Sequence, residues 1–268
     1  MSPQPSASDT SQRWRSYSVA FQTILVKETR RYLRIWVQTL VPPAVTMTLY
    51  LVIFGSLVGS RIPSLDGHHY MDYIVPGVIM MSVITNAYSN VVSSFFSGKF
   101  QGYLEELLVA PVPSAVILLG YVAGGVGRGL LVGLLVTGVA EVLTDIRLAH
   151  PLITLSVVFL TAVVFSLAGF TNALFARNFD DISIVPNFVL TPLTYFGGVF
   201  YSVSMLPEFW QYLSLANPIL YMVNAFRYGF LGSSDIPLAA AYSLMLTLIA
   251  ALFSLNMYWL NRGIGIRN

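Results

Sequence analysis

Long apolar stretches divided by short charged ones dominate this chain. Arg34 to Arg61, Asp72 to Lys99, Asp181 to Glu208 and Asp235 to Arg262 each enclose 26 uncharged residues, and a membrane-crossing helix needs about 20. Arg147 to Arg177 encloses 29, with His150 near its start, and Ser114 to Thr144 reads as one helix despite Arg128 and Glu141. The pattern predicts an all-α polytopic membrane protein with six transmembrane helices. A further 18 uncharged residues, Phe209 to Phe226, are split by Asn217 and Pro218, since proline removes a helix donor and restricts its predecessor. Neither half can cross alone, so 205–232 reads as an extracellular re-entrant or interfacial helical hairpin, tolerated at membrane depth where protein or water satisfies its backbone.

Composition agrees. Of 268 residues 56% are hydrophobic and 10% charged, against about a quarter charged in soluble domains, and mean hydropathy is +0.71. A net charge of +2 leaves no basic surface for nucleic acid, so charge placement matters more than charge total. With six spans, Arg13, Arg15, Lys27, Arg30, Arg31, Arg34, Lys99, Arg177, Arg262 and Arg267 fall on one side, and Arg61, Arg147 and Arg227 on the other. The excess puts both termini in the cytoplasm. Absence of cysteine excludes disulfides, thiolate nucleophiles and cysteine zinc sites, and His68, His69 and His150 lack metal-ligand spacing. Residues 1–12, rich in Ser, Pro and Gln, read as a disordered cytoplasmic tail rather than a signal peptide. Residues 263–268 form a second tail.

Four elements within the predicted domains carry functional information. In 13–37, Phe21, Ile24, Leu25, Tyr32, Ile35 and Trp36 share one helical face, and Thr23, Lys27, Arg30, Arg31 and Arg34 the opposite one. That is the pattern of an interfacial helix with its apolar side in the acyl boundary and its cations at headgroups. The transmembrane domain, 38–262, contains a short amphipathic segment at 99–110. There Phe100, Tyr103, Leu104, Leu107 and Leu108 face away from Glu105 and Glu106, and Pro111 and Pro113 stop the helix. It is either a membrane-resting loop or a docking peg for a soluble partner.

Span two carries Ser82, Thr85, Asn86, Ser89, Asn90 and Ser93 as a continuous polar stripe, and span five a weaker one of Ser183, Asn187, Thr191, Thr194 and Tyr201. Such stripes either glue helices together or line a substrate path. Eleven aromatics between Tyr195 and Phe230, Phe209, Trp210 and Tyr212 among them, form either an interfacial belt or, with Asn217 and Pro218, an outer gate. Arg128, near the middle of span three, must face water, a carboxylate or a subunit seam, in a structural or a pathway role.

The blocks GKFQGYLEELLVAPVPSAVILLGY, NFDDISIVPNFVLTPLTYFGGVFYSVSMLP and NPILYMVNAFRYGFLG, in this order across nearly the whole chain, resemble the membrane subunit of ABC-2 type exporters. They are similar to small inner-membrane transport permeases of Gram-negative bacteria and to the permease exporting nodulation lipo-oligosaccharides. The resemblance implies a homodimer in the bacterial inner membrane, with 13–37 as a connecting helix and 99–110 as a coupling helix. It also implies two copies of a separate ATPase, docked through Phe100, Tyr103, Leu104, Glu105, Glu106, Leu107 and Pro111. ATP and magnesium would belong to that partner, because Lys27 and Lys99, the chain's only lysines, sit in no phosphate-binding loop. The expected chain is a transport subunit without cofactor or catalytic residues, moving an amphipathic, lipid-linked or hydrophobic cargo outward.

Two other function classes fare less well. An ion-coupled secondary transporter or channel would show intramembrane carboxylates, and the pattern offers only Glu141, near the outer interface. An intramembrane hydrolase would need a Ser/His dyad or paired aspartates, whereas Asp180 and Asp181 read as caps of span five.

Overall fold

The computed structural model describes residues 7–54, 59, 64–65, 67–103, 112–144 and 148–265, with side chains omitted at 7–11 and 65. The long helices are α1 (Ala7–Arg34), α2 (Trp36–Ile53), α3 (Tyr70–Phe100), α4 (Ser114–Leu143) and α5 (Pro151–Phe175). A broken stretch follows: α6 (Asp181–Val185), a π-helical turn (Pro186–Leu190) and α7 (Thr191–Tyr195). The chain closes with α8 (Glu208–Leu215), α9 (Pro218–Leu231) and α10 (Leu238–Arg262). Before α3, Ser64 and Leu65 pair antiparallel with His69 and His68.

Among the described residues five helices, α2, α3, α4, α5 and α10, are long and apolar enough to cross a membrane, and each falls on a predicted span. The segment predicted as span five does not form one long helix. The helical run continues through Pro186 and Pro192, with a π-helical turn at Pro186–Leu190, and ends at Tyr195 before the chain turns at Gly198, whose φ of +69° lies in the left-handed region. An uncharged gap measures what can enter lipid; it does not guarantee an unbroken helix.

α3 forms the centre, flanked by α4 and α5 and buried along most of its length. Close approach depends on small residues. Cβ atoms at Gly125, Gly129 and Gly133 of α4 would come within 2.5–2.9 Å of Val91, Ala87 and Val83 of α3, and one at Gly169 of α5 within 2.6 Å of the Tyr88 carbonyl. In lipid, where apolar surface gains little from association, such small-residue contacts let van der Waals packing hold helices together. α2 and α10 lie at the periphery, with few buried residues.

The amphipathic helix begins earlier than expected, at Ala7 within the predicted tail, and breaks at Ile35 before α2. Part of its apolar face meets protein rather than lipid. Ile24 and Tyr32 are buried, and Ile24 and Glu28 fit over Gly120 and Gly124 of α4, where Cβ atoms would come within 2.7 and 2.6 Å. This second glycine row turns α1 into part of the bundle wall, and the sequence pattern alone places that face in lipid.

Asn217 caps α9 by accepting the Ile219 N–H at 3.0 Å, and its amide donates to the Leu193 carbonyl at 2.6 Å. α8 and α9 are thus divided at Asn217 and Pro218. α9 is buried among α3 and α5 and ends at Gly232 in the left-handed conformation. Arg227 is 2% exposed. The sequence count treats it as a solvent-facing outer charge; instead its Nε donates to the Tyr73 carbonyl at 3.1 Å and Nη2 to the Gly198 carbonyl at 2.6 Å, with the guanidinium 3.8 Å above the Tyr73 ring.

Candidate functional site

The polar stripe of α3 divides into two parts with different partners. Toward the C-terminal end of α3, Arg31 of α1 reaches in, its Nη2 donating to the Asn90 carbonyl at 2.9 Å and to Asn90 Oδ1 at 2.8 Å, its Nη1 to Ser93 Oγ at 3.4 Å. Glu28, fully buried, lies 3.3 Å from Arg31 and accepts from the Ser94 hydroxyl. Asn90 and Ser93 are therefore bonded to α1. An isolated carboxylate could not be buried so fully; pairing and hydrogen bonding offset its desolvation.

One turn toward the N-terminus of α3 the stripe opens on a cavity of about 300 Å³. α3 contributes Val78, Met81, Ser82, Thr85, Asn86 and Ser89, α2 contributes Gln38, Thr39, Pro42, Pro43, Thr46 and Tyr50, and α4 contributes Arg128. Arg128 Nη2 donates to Asn86 Oδ1 at 2.9 Å, and the Asn86 amide donates back to the Ser82 carbonyl at 3.0 Å. The consecutive prolines of α2 cannot donate to the carbonyls of Gln38 and Thr39, one turn earlier on the same wall. The wall is thus mixed: Pro42, Pro43, Val78 and Met81 make much of it apolar, with polar side chains set among them on α2 and α3 and the Arg128 guanidinium on α4.

Beyond Tyr50 its rim is aromatic. Tyr50 Oη lies 3.1 Å from Tyr195 Oη, and Tyr50, Phe54 and Tyr195 gather around Phe200 with centroids 5.2, 5.0 and 5.9 Å from its ring. α2 thereby joins the turn after α7, where Gly77 of α3 admits the Val199 carbonyl to within 2.7 Å of a would-be Cβ.

The remaining predicted path residues do not line this cavity. Asn187 and Thr191 are exposed, the Thr191 hydroxyl donating to the Pro186 carbonyl at 2.9 Å. Thr194 is buried with its hydroxyl on the Leu190 carbonyl at 2.7 Å, and Tyr201 is half-buried beyond it. The predicted outer gate also differs in exposure. Phe209 and Tyr212 face outward on α8 and Trp210 stacks on Phe196 at 5.6 Å, whereas Asn217 is buried and Pro218 starts α9.

At the C-terminal end of α3 and just beyond it, Phe100 and Tyr103 are exposed. Leu104, Glu105, Glu106, Leu107 and Pro111 lie outside the described residues. Phe96 and Phe100 meet Phe179 just before α6, with centroids 5.0 and 5.1 Å away, and Lys99 Nζ donates to the carbonyls of Leu174 and Ala176 at 2.9 Å each. The α3 terminus is therefore tied to the end of α5 and the start of α6. Asp180 makes no side-chain cap bond. Asp181 instead reaches back to the N–H groups of Arg177 and Asn178 at 2.8 and 3.3 Å, while Asn178 accepts the Asp181 N–H at 2.8 Å, a reciprocal cap.

Sequence reasoning missed Glu28 and the α2 wall. Glu28 has a legible signal: it stands four residues from both Ile24 and Tyr32, so it interrupts the apolar stripe with a carboxylate. Gln38, Thr39 and Thr46 carry no such mark within an apolar span.

Residues 19–231 match the family described as ABC-2 type transporter. The chain belongs to that family. It is 56% identical over 252 residues to the inner membrane transport permease YadH of Escherichia coli strain K12, covering 94% of this chain and 98% of that protein. More distantly, it is 26% identical over 187 residues to nodulation protein J of Rhizobium meliloti strain 1021, covering 69% of this chain and 71% of that protein. Nodulation protein J of Rhizobium leguminosarum bv. viciae is 25% identical over 189 residues, with the same coverage. This ABC-2 permease is thus the membrane subunit of an ABC transporter, built from several membrane-spanning helices.

Proposed function

We propose that two copies of this permease join two ATPase subunits in the bacterial inner membrane and export an amphipathic, lipid-linked or hydrophobic cargo. Both termini and 99–110 face the cytoplasm, and 181–207 makes a sixth crossing through its broken helix. The re-entrant pair α8 and α9 closes the outer side.

The observation that carries this reading is the path of α3. A single 31-residue helix holds the cavity at its middle and ends at Phe100, where the predicted docking segment begins. Closure of the ATPase pair pushes that segment; Phe179 and Lys99 pass the push to α6 and α5 together with α3. The cavity walls then move relative to α2 and expose the cavity to one side and then the other. ATP drives this cycle only through differential affinity for the two arrangements.

Glu28 is the one observation favouring an ion-coupled carrier, since it is a buried carboxylate. Both its oxygens are engaged, by Arg31 and Ser94, which fits a fixed structural pair better than an exchanging ion site.

The test is reversal of the docking charges. Glu105→Lys with Glu106→Lys should insert and dimerise normally yet lose ATPase copurification or cargo-stimulated hydrolysis. Phe100→Asp, which breaks the Phe96 and Phe179 contacts, should lower the yield of assembled permease. Normal copurification and transport by the double reversal at equal membrane abundance would refute docking at this segment.

A further inference from the structure

The unmatched charge in the cavity points to a ligand. Arg31 and Arg128 hang from Asn90 and Asn86 of α3, one helical turn apart. Glu28 is committed to Arg31. Among the described residues Arg128 has no carboxylate partner: its hydrogen bond goes to the neutral Asn86, and its buried Nε has no acceptor. Two cations therefore share one carboxylate. Since a charge in the middle of a span costs about 2.5 to 3.5 kcal/mol to insert, and an arginine fork is shaped for oxyanions, an unneutralised guanidinium on an open, largely apolar cavity that also carries Thr85 and Ser89 is suited to bind an anion.

We propose that this cavity binds the phosphate-type headgroup of an anionic amphiphile, with Arg128 as the charged ligand. Asn86 holds the guanidinium from the α3 side. Thr85 and Ser89, whose hydroxyls make no hydrogen bond to the described residues, supply neutral donors to the remaining oxygens. The acyl part leaves the cavity along α2, whose Val41, Val45 and Leu49 are exposed. Size agrees with this assignment: about 300 Å³ accommodates a headgroup, while the hydrocarbon must lie outside. The inference deepens the export reading by naming a cargo chemistry, and it rests on that reading for its transport role but not for binding.

Binding is therefore measured directly, on the purified dimer in neutral detergent, by native mass spectrometry and thermal stabilisation. The probes are dioleoyl phosphatidic acid, dioleoyl phosphatidylcholine and inorganic phosphate. Wild type should prefer phosphatidic acid to phosphatidylcholine. Arg128→Gln should weaken phosphatidic acid binding about thirtyfold or more, the range for removing one partner of a desolvated charge pair, and Arg128→Lys should recover part of it. Thr85→Trp fills the cavity mouth without touching the charge and should also block binding, which keeps the test valid if Arg128→Gln misfolds.

Stabilisation of wild type but not Arg128→Gln by inorganic phosphate alone would support the oxyanion site and assign it to a free anion; stabilisation by the lipid alone assigns it to a headgroup. Equal binding of the two lipids without a phosphate effect, or phosphatidic acid binding unaltered in both Arg128→Gln and Thr85→Trp, overturns the proposal. The export reading fails separately, through the ATPase copurification experiment.

Discussion

Arg227 offers the sharpest test of how the outer half of the permease is held. Its guanidinium satisfies the carbonyls of Tyr73 and Gly198 at 3.1 and 2.6 Å and lies on the Tyr73 ring, so it joins α3, the turn after α7 and α9. Hydrogen bonds to a charged group contribute about 1.5 to 3 kcal/mol each; these two, with a longer one from Nη1 to Asn224 Oδ1 at 3.4 Å, offset by the desolvation of the buried cation, leave a net cost of about 3 kcal/mol for Arg227→Met. By the scaling of small proteins this lowers Tm by on the order of 8 °C. Arg227→Lys should recover less than half of the loss, because one ammonium cannot reproduce a flat fork that reaches two carbonyls while stacking on a ring. Fluorescence-detected thermal unfolding of both variants in detergent, at matched expression, measures the effect. A Met variant with wild-type Tm would refute the account. A Lys variant indistinguishable from wild type would show that charge, rather than fork geometry, ties the three segments.

Two more outcomes follow from contacts on the page. Gly124→Leu places a side chain where Glu28 Cβ already approaches within 2.6 Å of a would-be Cβ, whereas Gly138 has nothing within 4 Å. The first should detach α1, read as new protease sensitivity before Ile35, and Gly138→Ala should be neutral or stabilising by about 0.5 to 1 kcal/mol; equal protease resistance of Gly124→Leu and wild type would refute the glycine seat. Tyr212 and Asn261 are both exposed, and in the proposed topology Tyr212→Cys reacts with an impermeant thiol reagent only from outside and Asn261→Cys only from inside, so labelling of both from one side would reject the six-crossing arrangement.

Much of this architecture is legible in the chain because lipid imposes a one-dimensional constraint: any segment that enters it must be apolar for about 20 residues. Charge-free gaps therefore locate the five long helices, proline at 218 locates the division between α8 and α9, and the three sequence blocks suffice for the family. The polar stripe from Ser82 to Ser93 is equally visible, since helical spacing puts those residues on one face. What faces the stripe is not. Arg31 claims its inner half and Arg128 its middle because glycine rows on α4 bring α1 and α3 close on two sides, a three-body arrangement that periodicity within one helix cannot encode. For the same reason Arg227 reads as an outer charge from its position after 18 neutral residues, yet besides the nearby Asn224 its acceptors come from residues 154 and 29 positions away. Sequence alone determined which segments are compatible with lipid; the tertiary structure decided which charges find partners, because a buried charge is stabilised by groups that only folding brings within 3 Å.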